Sequence, residues 1–517
     1  VKNFSRELEL KFVLTAEQID RAKSALPKLG SRHGKAVTQT LRSTYFDTPD
    51  CILHGNGLSL RVRQSGSRLS QTLKAETGVN GGLSNPVELE TPIQGRVANI
   101  DVIPDKAVRK EVRKLIGTKK LQPLFETVVE RTTQQLETPE GAKLELALDK
   151  GVVKTADDAT DVCEAELELK AGSPESLLRL VDQLFVDEVP KPSERNKPSI
   201  GYGLLNGKTQ PRLEPLKPAL PKLKKRSNGA AALALILQTV TGQILHNWAV
   251  VIESDDPEGV HQLRVGLRRL RTALKAFKPI IKNGSLFDME DRLRDFAHLV
   301  GELRDADVQA TDIVKPVQEH RDWDLSVEPL AELLAKRRIE IRTRVRQALQ
   351  GKDLLKLRLQ IALLPALVAR PRSPELKRKA SLPVRLLAED ALKKMWRKVV
   401  KRARQIDRLN IEERHALRKD LKALRYTVEF FSGLFPAKKV KRFTTKLEEL
   451  QDLFGYMNDV AGAQHLAQAL TKDDAQDSQA RQAIGYVVGW HTAKAEDVWV
   501  NARASWKQLK VTPRFWT

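Results

Sequence analysis

Charged side chains recur at two-residue spacing along several segments of the first two hundred residues. Glu7, Glu9 and Lys11 form one row, Arg61 and Arg63 a second, Lys74 and Glu76 a third, and Glu88 and Glu90 a fourth. Glu145 shares a parity with Asp149, and Glu164, Glu166, Glu168 and Lys170 make the longest row. A β-strand projects alternate side chains to opposite sides, so each row occupies one strand face. Any single row is adequately explained as the solvated outer face of a strand. The set is harder to explain that way, because both signs recur and Leu8 and Leu10 alternate with the charges of the first row. If those leucines face a helix-covered exterior, the charges face a wet interior, which a closed barrel of about eight strands can enclose. Carboxylates opposed across such a lumen repel unless a divalent ion neutralises them, and nearby Arg and Lys would then hold a phosphate chain. Hard, all-oxygen ligands favour Mg²⁺ or Mn²⁺ over zinc.

A different pattern carries charge in the second half. Within VHQLRVGLRRLRTALKAF, starting at Val260, residues His261, Arg264, Arg268, Arg271 and Lys275 fall on one helical stripe, and Leu263, Leu267, Leu270 and Leu274 on its neighbour. The segment RHALRKDLKALRYTVEFF, starting at Arg414, repeats the arrangement with His415, Arg418, Lys422 and Arg425, and with Leu417, Leu421 and Leu424. The shift is 154 positions, and the same shift maps Gly301 onto Gly455 and Asp305 onto Asp459. A constant register over separated segments indicates an internal duplication. A single Arg-rich helix would be read as a solvated face, but the duplication favours two basic helices lining a shared groove. Arg269 and Lys419 each sit one position off their stripe. The paired histidines lack Cys or carboxylate partners at ligand spacing, so they read as anion contacts rather than metal ligands.

The elements that must position these residues divide at a proline-rich stretch, 207–228, with prolines at 211, 215, 218 and 221. Before it, period-two segments predict strands over Glu7–Val13, Ser43–Phe46, Leu58–Gln64, Ser70–Ala75, Val87–Thr91, Thr127–Gln135, Ala142–Lys150 and Val162–Lys170, with helices over Ala16–Leu29, Asp105–Ile116 and Pro174–Phe185. After it, helical periodicity dominates through Ala230–Glu253, Gly259–Phe277, Asp288–Gly301, Pro329–Gln350, Leu386–Asp407, Ile411–Leu434, Ala437–Phe454 and Gln479–Lys507. The expectation is a multidomain α+β chain: an eight-stranded antiparallel β tunnel with peripheral helices over 1–206, a stiff linker over 207–228, and an all-α duplicated bundle over 229–508 with repeats at about 229–365 and 380–508. The 517-residue chain carries a net charge of +23, yet its first 210 residues hold 31 basic and 29 acidic side chains. Nearly all the excess therefore lies in the helical half, where a polyanionic partner belongs. Aromatic residues are only 5%, which argues against a stacking platform for single-stranded nucleic acid. Two distant cysteines, Cys51 and Cys163, and no uninterrupted apolar run of about 20 residues fit a cytoplasmic setting without a membrane span.

The first-half residues resemble the CYTH, or triphosphate tunnel metalloenzyme, family. The likeness rests on Glu7-Leu-Glu9-Leu-Lys11, Tyr45-Phe-Asp47-Thr-Pro49, Leu60-Arg61-Val-Arg63, Gln71-Thr72-Leu73-Lys74-Ala75, Arg131, Leu148-Asp149-Lys-Gly151, Glu164-Ala-Glu166-Leu-Glu168 and Asn196-Lys197-Pro-Ser-Ile-Gly201-Tyr202. The resemblance implies a tunnel of eight antiparallel strands that hydrolyses triphosphates with a divalent metal. It assigns phosphate contact to Lys11, Arg61, Arg63, Lys74, Arg131 and Lys197, and metal binding to Glu9, Asp149, Glu164 and Glu166. Glu7 would be a second-metal ligand or would orient water, and Glu88, Glu90 and Glu168 would support the ligands from behind. The second half resembles a CHAD domain over roughly 229–508, through its His-x-Leu-Arg-x-x-Leu-[Arg/Lys]-x-Leu-Arg pattern. That likeness implies polyphosphate binding, without catalysis, by His261, Arg264, Arg268, Arg271, His415, Arg418, Lys422 and Arg425. The expected activity is cleavage of inorganic triphosphate to pyrophosphate and phosphate, with long-chain polyphosphate as a partner and nucleic acid only a nonspecific polyanion. The alternatives are a non-catalytic polyphosphate-binding or granule-associated protein, and a triphosphatase for nucleoside or thiamine triphosphate.

Overall fold

A computed structural model describes residues 8–26, 32–75, 81–84, 87–186, 188–207, 213–281, 284–319, 327–368, 373–473 and 478–516. The chain forms two compact units: Val1–Leu213 with Gln350–Leu363, and Glu214–Leu349 with Leu364–Thr517.

The first unit is built on strands β1 (Leu8–Val13), β2 (Arg32–His33), β3 (Val37–Asp47), β4 (Leu58–Ser65), β5 (Arg68–Ala75), β6 (Leu83–Ser84), β7 (Val87–Pro92), β8 (Gln122–Glu137), β9 (Lys143–Lys154), β10 (Ala159–Ala171) and β11 (Lys191–Pro192). They form one sheet in the order β11-β1-β10-β9-β8-β3-β4-β5-β7, with β2 on β8 and β6 on β1. The eight long strands pair antiparallel throughout. The expected antiparallel tunnel is present as a curled sheet, in which β1 and β7 do not pair with each other among the described residues. Its curl follows from chain length: Ser84 pairs with Glu9 of β1, yet β7 begins at Val87. Three extended residues span at most about 11 Å, so the two ends of the strand order must lie close together.

Alternation along the strands decides which face is dry. Leu10 and Phe12 are fully buried on the outer face of β1, where the Phe12 ring meets Phe185 at 5.5 Å. Leu60, Val62 and Leu73 pack outward with Val112 and Ile116 of a covering helix. The apolar core thus lies outside the curled sheet, beneath helices α1 (Ala16–Ala25), α2 (Ile52–Gly55), α3 (Lys106–Ile116), α4 (Glu175–Leu184) and α5 (Lys197–Leu205). Thr15 starts α1 with a capping box, and Asp105 caps α3 by accepting from the Ala107 and Val108 amides. The predicted strands are all present, several longer than expected, and α5 is an element that periodicity did not predict.

The second unit contains helices α6 (Gly229–Glu253), α7 (Pro257–Ala276), α8 (Gly284–Val308), α9 (Lys315–Gln318) and α10 (Glu328–Gln350). After α11 (Lys352–Val368) follow α12 (Pro374–Ala380), α13 (Val384–Arg402), α14 (Ile411–Phe431), α15 (Ala437–Asp473) and α16 (Ser478–Val511). A shift of 154 carries the starts of α6, α7, α8 and α10 to within four residues of those of α13, α14, α15 and α16. Phe277 and Phe431, also 154 apart, meet with ring centroids 5.6 Å apart. Contact between equivalent residues is what a local pseudo-twofold relation produces. Helix α6 is long and apolar enough to cross a membrane, with a mean hydropathy of 1.3, which counting uninterrupted apolar runs overlooked. Here Leu233, Ile236, Val240, Ile244 and Trp248 along it are buried in the helical core.

The contacts add two details to this division. Residues Gln350–Leu363, placed from sequence at the end of the first helical repeat, group by contacts with the β unit, because α11 pairs with the end of α4 and the chain leading from it to α5. The proline-rich stretch is also no free linker beyond Glu214. The buried Asn247 side chain accepts from the Leu216 amide (3.1 Å) and donates to the Leu216 carbonyl (2.9 Å), and the fully buried Arg269 donates to the Ala219 carbonyl (2.9 Å). Asn247→Ala removes both hydrogen bonds to the Leu216 backbone. We expect it to lower unfolding free energy by about 1–3 kcal/mol in urea titration and to speed proteolysis within 214–228.

Candidate functional site

The inward faces of the curled sheet enclose a cavity of about 170 Å³ lined by Glu9, Lys11, Arg61, Arg63, Lys74, Glu88, Glu90, Arg131, Glu145, Glu166, Glu168 and Lys197. Strand register sets this arrangement. Lys11 pairs with Glu166 and Glu9 with Glu168 across β1 and β10, Glu164 and Arg131 both flank Asp149, and Lys74 stands opposite Glu88. Lys197 comes instead from the first turn of α5, which Asn196 opens with a capping box closed by Ser199. Of the predicted residues, Glu7 lies outside the described residues. Asp149 and Glu164 are buried just behind the cavity surface rather than on it.

The cavity has two chemically distinct ends. At one, Asp149, Glu164 and Glu166 each offer an oxygen within 4.8 Å of the others, a donor set that fits a hard divalent cation. Lys197 reaches all three, at 2.8 Å from Asp149, 2.5 Å from Glu164 and 3.4 Å from Glu166. Arg131 forms a forked pair with Asp149 (2.7 and 2.6 Å) and also donates to Glu166 (2.6 Å). Glu9, expected as a fourth metal ligand, is not part of this trio; it pairs at 2.7 Å with Lys11, which also pairs with Glu166 at 2.6 Å. Burial alone would drive these groups neutral, but the mutual pairing wins. Asp149 is held below the usual carboxylate range by Lys197 and Arg131, and Glu166 well below it by Arg131 and Lys11. Lys11 and Lys197 are correspondingly raised, against burial, by the same carboxylates.

At the other end Arg61, Arg63 and Lys74 converge with fewer counter-charges. Lys74 pairs with Glu88, and Arg63 donates to the Ser43 hydroxyl at 3.0 Å. Burial, with the neighbouring charges of Arg61 and Arg131, pushes the Arg63 guanidinium down to about 10. The attraction of Glu166 does not offset these, and a phosphoryl group would add negative charge beside the guanidinium. Glu168 is raised by burial, with Glu145 and Glu9 adding to it. Glu145, not assigned a role from sequence, joins the lining; its parity with Asp149 on β9 was the available signal.

The helical unit has its own site. Two overlapping cavities of about 780 and 670 Å³ share Arg264, Arg268, Arg418, Lys419 and Lys422 and so form one groove between α7 and α14. His261 and His415 line the first and Arg271 the second. Arg425 lines neither; it pairs with Glu429 at 3.1 Å. The two off-stripe residues separate: Lys419 enters the groove, while Arg269 is fully buried against Gln243, the Ala219 carbonyl and the Phe430 ring. Arg304 of α8 was missed as a lining residue. Burial and the guanidinium groups of Arg418, Arg268, Arg425 and Arg264 push Lys422 down to about 6. His261 is pushed down to about 4 by burial and Arg304. The groove is therefore a self-repelling cationic cluster.

A curled antiparallel sheet whose charged lumen opposes carboxylates to guanidinium groups is the architecture of a triphosphate tunnel. Residues 5–200 match the CYTH domain and residues 235–468 match the CHAD domain, so the chain carries a CYTH domain followed by a CHAD domain. Over 169 residues it is 30% identical to the inorganic triphosphatase of Haemophilus influenzae, a match covering 31% of this chain and 45% of that enzyme. The chain thus spans less than half the length of that relative. An uncharacterised protein of Mycobacterium tuberculosis is 25% identical over 465 residues, 84% of this chain and 83% of that one. The crystal structure of the CHAD domain from the plant Ricinus communis matches 58% of this chain and 98% of its own, at 26% identity and a TM-score of 0.50.

The depressed Lys422 makes a signed prediction. Its unfolded-state value is 10.5 and its folded value about 6, so between those pH values the unfolded chain holds one more proton. The helical unit should lose stability as pH falls through that window, and Lys422→Met should flatten the dependence and raise the melting temperature near pH 7. Thermal unfolding across pH 6–10 checks it.

Proposed function

We propose that the β unit hydrolyses inorganic triphosphate to pyrophosphate and phosphate with Mg²⁺ or Mn²⁺, and that the helical unit binds long-chain inorganic polyphosphate without cleaving it. The observation carrying the first part is the enclosed opposition of the Asp149–Glu164–Glu166 trio to the Arg61–Arg63–Lys74 cluster. That trio would hold the metal, with Glu9 beside it. A bound divalent ion would neutralise phosphate oxygens and polarise the phosphorus under attack. Arg61, Arg63, Lys74 and Arg131 would grip the anhydride chain and stabilise charge building on the departing pyrophosphate. The carboxylates of the lining, Glu168 among them, would orient the attacking water. Among the described lining residues Tyr45 is the aromatic side chain, and it is already stacked on Phe125 at 4.6 Å. A nucleobase or thiazole ring would find little to stack on, which favours an inorganic substrate over nucleoside or thiamine triphosphate. The second part rests on the self-repelling groove, whose cations are relieved by a linear polyanion.

Phosphate release from tripolyphosphate should require Mg²⁺ or Mn²⁺ and vanish with chelator. Glu166→Gln should lower kcat/KM by about 10²–10³-fold, and Glu9→Ala should also impair it. Absence of release, or faster cleavage of a nucleoside or thiamine triphosphate, rejects the substrate assignment. In the groove, Arg268→Glu with Arg418→Glu should weaken polyphosphate binding by at least about 10-fold. Binding near pH 8 should take up a proton at Lys422, read from calorimetry in buffers of different ionisation enthalpy. Preference for duplex DNA over long-chain polyphosphate at one salt concentration rejects the groove assignment.

A further inference from the structure

Helix α11 lies in sequence between the two helical repeats, yet Gln350–Leu363 belongs to the β unit. The 154-residue shift carries only its first six residues, 352–357, onto the end of α16, and it lies outside the CYTH match that ends at residue 200. Its polar contacts converge on the last turn of α4 and the chain from there to α5. Lys356 pairs with Asp182 at 2.5 Å, Lys352 donates to the Val186 carbonyl at 2.7 Å, and Arg358, only 1% exposed, pairs with Glu194.

Glu194 is the junction of two routes into the cavity. Three residues onward is Lys197, whose helix begins at the Asn196 cap: the Asn196 side chain accepts from the Ser199 amide at 2.8 Å. The other Glu194 oxygen accepts from the Gly81 amide at 3.4 Å. Gly82 next to it accepts from the Lys11 amide at 2.7 Å and donates to the Ser193 carbonyl at 3.1 Å, while the Ser193 amide donates to the Lys11 carbonyl at 2.9 Å. Gly82 has φ +83°, and an added Cβ would lie 2.8 Å from the Lys11 carbonyl oxygen, so this crossing tolerates no side chain. One buried ion pair therefore sits where the backbones bearing Lys11 and Lys197 meet.

We infer that Arg358 is a positioning residue for the triphosphatase site: through Glu194 it fixes the Asn196 cap and the Gly81–Lys11 crossing, and so sets where Lys197 and Lys11 stand against the carboxylates. This inference rests on the proposed function for its kinetic consequence and on structure alone for its mechanical one. A buried charge pair is costly to break, because the remaining partner is left desolvated. An ammonium displaced by a fraction of an ångström then binds the substrate's charge less well.

The test uses the full chain. In Arg358→Gln, amide exchange over 193–201 should quicken by about 10-fold while β8 and β9 stay protected. KM for tripolyphosphate should rise by about 10-fold with kcat changed by less than about 2-fold. Glu194→Gln should reproduce both effects, and Arg358→Lys should restore part of each. If Arg358→Gln fails to fold, Arg358→Met with Glu194→Gln removes both charges together and is read the same way. Unchanged exchange over 193–201, or a Glu194→Gln protein indistinguishable from wild type beside an impaired Arg358→Gln, overturns the inference. A wild-type chain that releases no phosphate instead sinks the proposed function, and the exchange measurement still decides this one.

Discussion

Everything in the β unit follows from placing charge, rather than hydrocarbon, on the concave side of a curled sheet. An isolated buried ion costs several kcal/mol even after relaxation, so each inward Glu, Asp, Lys or Arg needs an opposite partner at short range. The strand register provides it: Lys11 faces Glu166, Arg131 faces Asp149, and Lys74 faces Glu88. Compensation inside displaces the hydrophobic core to the outside, where Leu10, Phe12, Leu60 and Val62 require a helical cover. The peripheral helices are thus a consequence of the charged lumen. The pairing is uneven: the carboxylate end is held by Lys197 and Arg131, while at Arg63 burial and the charges of Arg61 and Arg131 outweigh the attraction of Glu166. An anion entering the lumen has one place where it relieves repulsion.

The helical unit treats positive charge differently. It buries leucine stripes of α7 and α14 against their own bundle and leaves their basic stripes facing one groove without matched carboxylates. Asp305 stands 3.6 Å from Arg264 and Asp312 3.3 Å from Arg304, while among the described residues Lys422 forms no ion pair with a carboxylate and burial with the surrounding guanidinium groups lowers it to about 6. The groove carries a standing electrostatic cost that a bound polyanion would remove, and charge screening by salt would relieve only the exposed part. Where the tunnel compensates charge internally and admits a small ligand, the groove defers compensation to a partner.

How much of this was legible in the chain depended on periodicity. Period two exposed the rows at Glu7–Lys11, Arg61–Arg63 and Glu164–Lys170, and the 154-residue repeat exposed His261 to Arg271 and His415 to Lys422. Both signals are local, and both led to residues that share a cavity. Three things were not local. Arg269 and Lys419 look alike as off-stripe cations, but one packs under the 214–228 strap and the other enters the groove. Asn247 and Leu216, 31 residues apart, turn a proline-rich linker into a docked strap. Glu9 sits in the same row as Lys11, yet side-chain reach leaves it out of the trio formed by Asp149, Glu164 and Glu166.

Helix α11 lies within the stretch matched to the CHAD domain, yet its first twelve residues make their contacts with the β unit. KDLLKLRLQIALLPALV has apolar residues around most of its circumference and a proline at 365, so no face of it announces a partner. Its polar positions are informative only against the tertiary structure: Lys352, Lys356 and Arg358 all address the stretch from Asp182 to Glu194. That stretch must be held, because it carries no long strand of its own. It has the two-residue β11 and then the cap of α5, whose first residue supplies the ammonium for the carboxylate trio. Strand-borne charges such as Arg131 inherit their precision from the sheet ladder. A helix-borne charge at the end of an irregular segment inherits it from whatever anchors that segment, and here the anchor comes from the part of the chain between the helical repeats.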